Sequence, residues 1–248
     1  MKFGFCTIPD YADACIDIPI DYVELYMSDI MDMTPKQFES FLIRTEKLSI
    51  EVGIIRLPRF LKIIRSEEEE QFAYFYFKEC IKRAKLLGIS ICVFGSGDAR
   101  SANLQNNIER KRLASFLQKA NNYCEINRMS LGIEAMSKRM CDTLNSITET
   151  SYFLQDMGLK EIGVVIDNYH MVENDEQIDD LLKVHLISHV HISNPFDREP
   201  PKDSDPYDYR KLFTQLSNCN YNDRVSIECN AINNPLASRS AVDFLKNI

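Results

Sequence analysis

At 248 residues, with 45% apolar and 27% charged positions, the chain has the make-up of a water-soluble globular protein, close in length to the roughly 250 residues of one (β/α)8 barrel. Its formal charge of −8 argues against a general nucleic-acid binder, whose affinity rests on neutralising phosphates with Lys and Arg. No apolar run approaches the roughly 18 residues of a membrane span and MKFGFCTIPD lacks the apolar stretch of a signal peptide, so a cytoplasmic protein without nucleic-acid or membrane partners is expected.

In chain order, Lys2 to Thr7 (KFGFCT) reads as a first strand and Tyr22 to Met27 (YVELYM) as a second, with Glu24 its only charge. Thr34-Pro35 opens a helix: Thr34 can cap, Pro35 suits the first helical position, and Gln37 completes a capping-box spacing. That helix should run to about Leu48, with Ile50 to Leu57 as the third strand. Ser66 and the glutamates 67–70 look like an acidic tail, but the amphipathic stretch Phe72 to Leu87 follows them. Carboxylates in a first turn are favoured by the helix dipole, so they mark a helix start. Gly88 ends it, and ISICVFGSG is the fourth strand.

A helix at about Ile108 to Asn127 leads into LGIEAM, and one at about Asn145 to Met157 into IGVVID. Glu173 to Val184 covers the crossover to SHVHIS, and NPFDREPPKDSDPYD is one long loop before a helix at Tyr209 to Leu216. VSIEC is the last strand and Ala237 to Lys246 the closing helix. Eight strands alternating with helices at βαβ intervals, without a linker or composition break, predict an α/β fold: a single (β/α)8 TIM barrel over residues 1–248. The eight cysteines include no CxxC pair and fit reduced core residues.

Four strand runs end in polar groups, at Glu134, Asp167, His191 and Glu228. Strand ends of a barrel converge on one mouth. Three carboxylates gathered there repel one another unless a cation sits among them. With one imidazole, the set suits a single divalent ion such as Mn2+, Mg2+, Co2+ or Zn2+, and the absence of thiolates argues against a structural zinc. Each residue alone has a plainer reading: a strand-end Glu commonly forms a loop salt bridge, and Asp167 could cap the next helix. His189, one layer deeper than His191 on the same strand face, reads as a hydrogen-bonded core histidine, and His185 as structural or exposed. Taken together, the four read as a metal site.

Gly95-Ser96-Gly97 is either a phosphate cradle or a tight turn. Arg56, Arg100, Lys138 and Arg198 fall near strand ends and could bind a phosphate or carboxylate. Glu24 is expected to face the mouth and hydrogen-bond a substrate hydroxyl, or to pair with one of those arginines. The aromatic run between Phe72 and Phe77 is too continuous for one helix face, which leaves rings for a subunit contact in a homo-oligomer.

IEAM, VVIDNYH, HVHISN and SIEC stand in an order and spacing that resemble the xylose isomerase-like TIM-barrel superfamily, the sugar-phosphate isomerases and epimerases that also include the apurinic endonucleases. VFGSG is similar to that family's fourth strand, and the Pro-rich loop before YDYRKLF to its seventh βα loop, so the likeness spans essentially the whole chain. The resemblance implies Glu134, Asp167, His191 and Glu228 as ligands of one divalent metal, and His170 as the histidine that contacts substrate or, in the nucleases, a further metal. In the family's epimerases two glutamates flanking the metal exchange the proton, which implies Glu134 and Glu228 as the catalytic pair. The chemistry is sound in itself: a metal on adjacent carbonyl and hydroxyl oxygens acidifies the carbon between them, and carboxylates on opposite faces can remove and return its proton.

The endonucleases' additional histidines are missing: Arg56 and Gly95-Ser96-Gly97 occupy those strand ends, and no histidine follows His191. Asn194 stands where many relatives carry Asp. The expectation is a metal-dependent isomerase or epimerase of a small sugar, sugar phosphate or related acid, with substrate contacts from His170, Arg198, Glu24 and Lys138. A lyase or dehydratase using the same enolate chemistry, and a non-catalytic sugar-binding barrel, are the alternatives; a phosphodiesterase fits less well.

Overall fold

Eight short β-branched runs, each apolar on both faces, are the pattern of parallel strands covered outside by helices and filled inside by their own side chains. The computed structural model describes all residues from Met1 to Ile248. Its strands are β1 (Lys2–Thr7), β2 (Tyr22–Tyr26), β3 (Ile50–Ile55), β4 (Ile91–Phe94), β5 (Ser130–Glu134), β6 (Gly163–Asp167), β7 (Ile187–Ile192) and β8 (Arg224–Ile227). All pair in parallel in sequence order, and β8 closes on β1 with Phe3 beside Val225 and Gly4 beside Ser226. The expected (β/α)8 barrel is what forms.

The helices are α1 (Met27–Met31), α2 (Pro35–Arg44), α3 (Glu67–Leu87), α4 (Gly97–Arg100), α5 (Asn107–Ile126), α6 (Ile147–Asp156), α7 (Asn168–Glu173), α8 (Tyr209–Asn218) and α9 (Arg239–Lys246). The Thr34/Gln37 capping box is present, worth about 1 kcal/mol. Ser66 caps α3 by accepting from the Glu69 N–H, so the glutamate run is its first turn as expected. Gly88 closes α3 at φ 85°, a left-handed conformation that favours glycine.

Several bounds differ from expectation. β2 stops at Tyr26 because Met27 already begins α1, and α2 ends at Arg44, not near Leu48. The crossover before β7 holds the short α7 and a 3-10 turn at Ile178–Lys183 in place of one helix. Further 3-10 segments, unforeseen from the sequence, run over Pro9–Asp17 and Pro235–Ser238.

Two apolar cores result. The larger lies between strands and helices; the smaller fills the barrel with Cys6, Tyr22, Tyr26, Val52, Ile54, Ile91, Val93 and Val165. Period-two alternation puts Glu134, Asp167, His191 and Glu228 at the C-terminal end of that interior. All eight cysteines are free, and only Cys219 is not fully buried.

Candidate metal centre at the barrel mouth

The four strand-end residues meet. Glu134 closes β5, Asp167 closes β6, His191 is the penultimate residue of β7, and Glu228 directly follows β8. Their ligand atoms all lie within 4.8 Å of one another, and all four side chains are buried. His191 Nδ1 is 3.2 Å from Glu134 Oε1 and 3.2 Å from Glu228 Oε2. Asp167 serves both of its readings: Oδ1 accepts the Tyr169 N–H at 2.8 Å and starts α7, while Oδ2 turns to the cluster and to Arg198 Nη2 at 3.3 Å.

Burial alone would push every one of these carboxyls up. For Glu228, His191, Arg198 and Arg56 outweigh burial and hold it well below the usual carboxylate range. For Glu134, the hydrogen bond from His191 likewise brings it below its ordinary value. For Asp167 burial prevails over His170 and Arg198, and its pKa is raised.

The donor set can be tested against a divalent cation. The Nδ1 of His191 faces two carboxylate oxygens, so with a bare nitrogen lone pair three acceptors would converge without a positive charge between them. Ligand-atom spacings of 3.2 Å resemble the edges of a coordination shell of about 2.1 Å radius. One imidazole and three carboxylates without a thiolate therefore fit a borderline or hard divalent ion.

Above the cluster opens a cavity of about 250 Å3, lined by Tyr26, Arg56, Met136, His170, Arg198 and Asn230 among others. That is small beside pockets for drug-sized ligands, roughly 300–1,000 Å3, and suits a small polar molecule. A larger cleft near Asp10, Asp32 and Arg44 does not contain the cluster. Arg198 reaches in from the Pro-rich loop with φ 58°, its guanidinium over the Tyr169 ring and its Nη2 2.7 Å from Glu228 Oε2. His170 is buried, its Nε2 3.8 Å from Asp167 Oδ2, and its Nδ1 has no hydrogen-bond partner.

Two expected substrate contacts lie away from the cavity lining. Glu24 does not face the mouth or pair with an arginine: it is wholly buried one layer down, accepting from His189 Nε2 and His191 Nε2 at 3.0 Å each. Tyr26, two residues further along β2, takes the position at the mouth. Lys138 is exposed and does not line the cavity, whereas Met136 and Met140 of the same segment do.

Of the other candidate cations, Arg56 lines the cavity, stacked on the Tyr26 ring and 3.6 Å from Glu228 Oε1. Arg100 is fully buried, holding the Phe94 and Leu144 carbonyls. Ser96 Oγ accepts the Leu57 N–H and donates to the Ile55 carbonyl, so the Gly-Ser-Gly segment is a tight turn stitched to β3. His189 is the hydrogen-bonded core histidine expected, and His185 is held by Ser151 and the Ile162 carbonyl.

Tyr26 went unrecognised in the sequence, although its O–H donates to Glu228 Oε1 at 2.7 Å. Its parity with Glu24 on a strand ending in YVELY was the available signal.

A family model described as a xylose isomerase-like TIM barrel matches residues 12–248, so the chain belongs to that family. Among solved structures, D-psicose 3-epimerase from Clostridium cellulolyticum H10 superposes with a TM-score of 0.82 at 14% identity, covering 100% of this chain and 99% of that one. The E. coli 3-keto-D-glucoside 4-epimerase gives 0.79 at 17% identity, with 100% of both chains covered. The IOLI protein, whose structure carries a zinc atom, gives 0.73 at 17% identity over 100% of this chain and 96% of that one. At these identities the likeness is one of fold. No curated protein matches the chain in sequence.

Proposed function

We propose that this member of the xylose isomerase-like barrels is a divalent-metal-dependent isomerase or epimerase of a small sugar or sugar phosphate. The observation that carries the reading is the convergence of Glu134 and Glu228, from β5 and β8, on one nitrogen of His191 beside Asp167 and beneath a small polar cavity. Epimerase names among solved relatives of the same fold support it.

Glu134, Asp167, His191 and Glu228 would hold the ion. Bound there, the cation would polarise a carbonyl and stabilise the negative charge that develops as the neighbouring C–H is broken. Glu228 is kept ionised by Arg198 and His191 despite burial, the state a general base needs. One of the two glutamates takes the proton from the carbon beside the carbonyl. For an epimerisation the other, Glu134, whose pKa is lowered less than that of Glu228, must first take up a proton from solvent, which it then gives to the opposite face of the carbon. The Tyr26 hydroxyl fixes the angle of Glu228 through Oε1. Arg198 and His170 border the cavity and supply donors to the sugar oxygens. The apolar Met136 and Met140 wall helps exclude water from the carbanionic carbon.

Metal analysis of the purified protein tests the site. About one divalent ion per chain, lost in a Glu134→Gln/Asp167→Asn double variant, is expected. No uptake after incubation with Mn2+, Co2+ or Zn2+ would remove the basis of the reading.

A further inference from the structure

Beneath the cluster lies a second polar group that neither the cavity nor the proton transfer uses. Glu24 on β2 and His189 on β7 are both completely buried. The strand neighbours in register with Glu24 are Cys6 and Val52, so its surroundings are otherwise poor in polar groups. A carboxylate at such depth is costly to desolvate, and an apolar residue would fill the place more cheaply. What Glu24 does with its two oxygens is specific: Oε2 meets His189 Nε2 and Oε1 meets His191 Nε2, each at 3.0 Å.

An ionised carboxylate only accepts hydrogen bonds, so both bonds require the hydrogen on Nε2 of each imidazole. For His191 this leaves Nδ1 as the nitrogen directed at Glu134 and Glu228. His189 in turn holds Glu24 in place. Its ring stands edge-on to His191 with centroids 5.0 Å apart and edge-on to Tyr22 at 6.5 Å, and its Nδ1 has no partner, so the bond to Glu24 is its polar anchor. Without Glu24 nothing beneath His191 would distinguish its two nitrogens.

We propose that Glu24, clamped by His189, is a positioning residue that keeps the His191 hydrogen on Nε2 and thereby presents Nδ1 to a divalent cation. The inference rests on the reading of Glu134, Asp167, His191 and Glu228 as the ion's ligands. It gives Glu24 and His189 a role outside substrate contact. Carboxylates behind a ligating imidazole set its tautomer and orientation, and their loss costs roughly 10- to 100-fold in metal affinity.

The test uses the whole protein with Co2+ alone as the probe, titrated calorimetrically into the wild type, Glu24→Gln and His189→Gln, with the thermal midpoint of each metal-free protein recorded. Gln at position 24 can accept from or donate to His191 and so serves either tautomer. Glu24→Gln should bind Co2+ about 10- to 100-fold more weakly, and His189→Gln should be weakened less, in the same direction. In parallel, nitrogen NMR of Zn2+-loaded wild type carrying 15N-histidine should show His191 metallated at Nδ1 and protonated at Nε2. That spectrum decides the question even if a variant fails to fold. Glu24→Gln affinity within twofold of wild type, or zinc carried on Nε2, would overturn the inference alone. A wild type that binds no Co2+ would overturn the metal reading and this inference with it.

Discussion

Gly95 and Glu134 compete for one space: a methyl group on Gly95 would collide with Glu134 Oε2. The other oxygen, Oε1, is 3.2 Å from His191 Nδ1, so the carboxylate cannot swing aside and stay in the cluster. Gly95→Ala should therefore weaken Mn2+ or Co2+ binding by about tenfold or more, while the thermal midpoint of the metal-free protein moves little. Equal affinity would mean that Glu134 is not held where a ligand must be.

Tyr26→Phe removes the O–H that orients Glu228 and leaves the ring on which Arg56 stacks. A hydrogen bond to a charged group is worth about 1.5–3 kcal/mol, so kcat should fall about 10- to 100-fold with metal content unchanged. A loss of metal in step with activity would instead place Tyr26 in service of the ligand geometry.

Metal uptake should release a proton. Burial favours a neutral His191, but the carboxylates of Glu24 and Glu228 outweigh it and raise its pKa well above the usual imidazole value. The metal-free ring is thus cationic near neutrality, and Nδ1 must give up its proton to become a ligand. Calorimetry in buffers of different ionisation enthalpy should find about one proton released per ion at pH 7. The same raised pKa stabilises the metal-free fold fully below about pH 6.5, and that contribution is lost as pH climbs through the folded value. No proton release would contradict the assignment of His191 as a ligand.

Glu176 offers a pH effect remote from the cluster. Burial, with Asp180 and Glu149, raises its carboxyl from 4.5 to about 7, although Oε2 accepts the Ile147 N–H that begins α6. The folded state holds this proton more tightly than the unfolded chain, so stability falls as pH rises from about 4.5 through about 7. Glu176→Gln keeps an acceptor for Ile147 and should raise stability by about 1–2 kcal/mol at pH 8, after discounting for partial exposure, with almost no difference at pH 4.5. Parallel melting curves at both pH values check it.

Strand order and the meeting of Glu134, Asp167, His191 and Glu228 were legible because each β-branched run ends in a group of metal-binding type, and a parallel barrel leaves one place for such ends to meet. Depth within the barrel was harder. Strand parity put Glu24 on the inner face, but its distance below the rim depends on where β2 stops, and α1 begins one residue earlier than the apolar run suggested. The same residue hid Tyr26. Lys138 was misplaced because position in a turn says nothing of the side that turn presents. Gly95 stayed open between a phosphate cradle and a tight turn because the need for a missing Cβ arises from a side chain 39 positions away, on the neighbouring strand β5.

Proton transfer at carbon by Glu134 and Glu228 is read most directly by solvent exchange. Protein loaded with Mn2+ or Co2+ is incubated in D2O with a panel of ketoses, ketose phosphates and sugar acids, and the sugars are read by NMR. Deuterium should appear at the carbon beside the carbonyl of at least one sugar, together with its isomerised or epimerised product, and no exchange should occur in Glu228→Gln that still binds the ion. Sugars that bind the loaded protein without deuterium uptake, or exchange at the wild-type rate in Glu228→Gln, would contradict proton transfer by this pair.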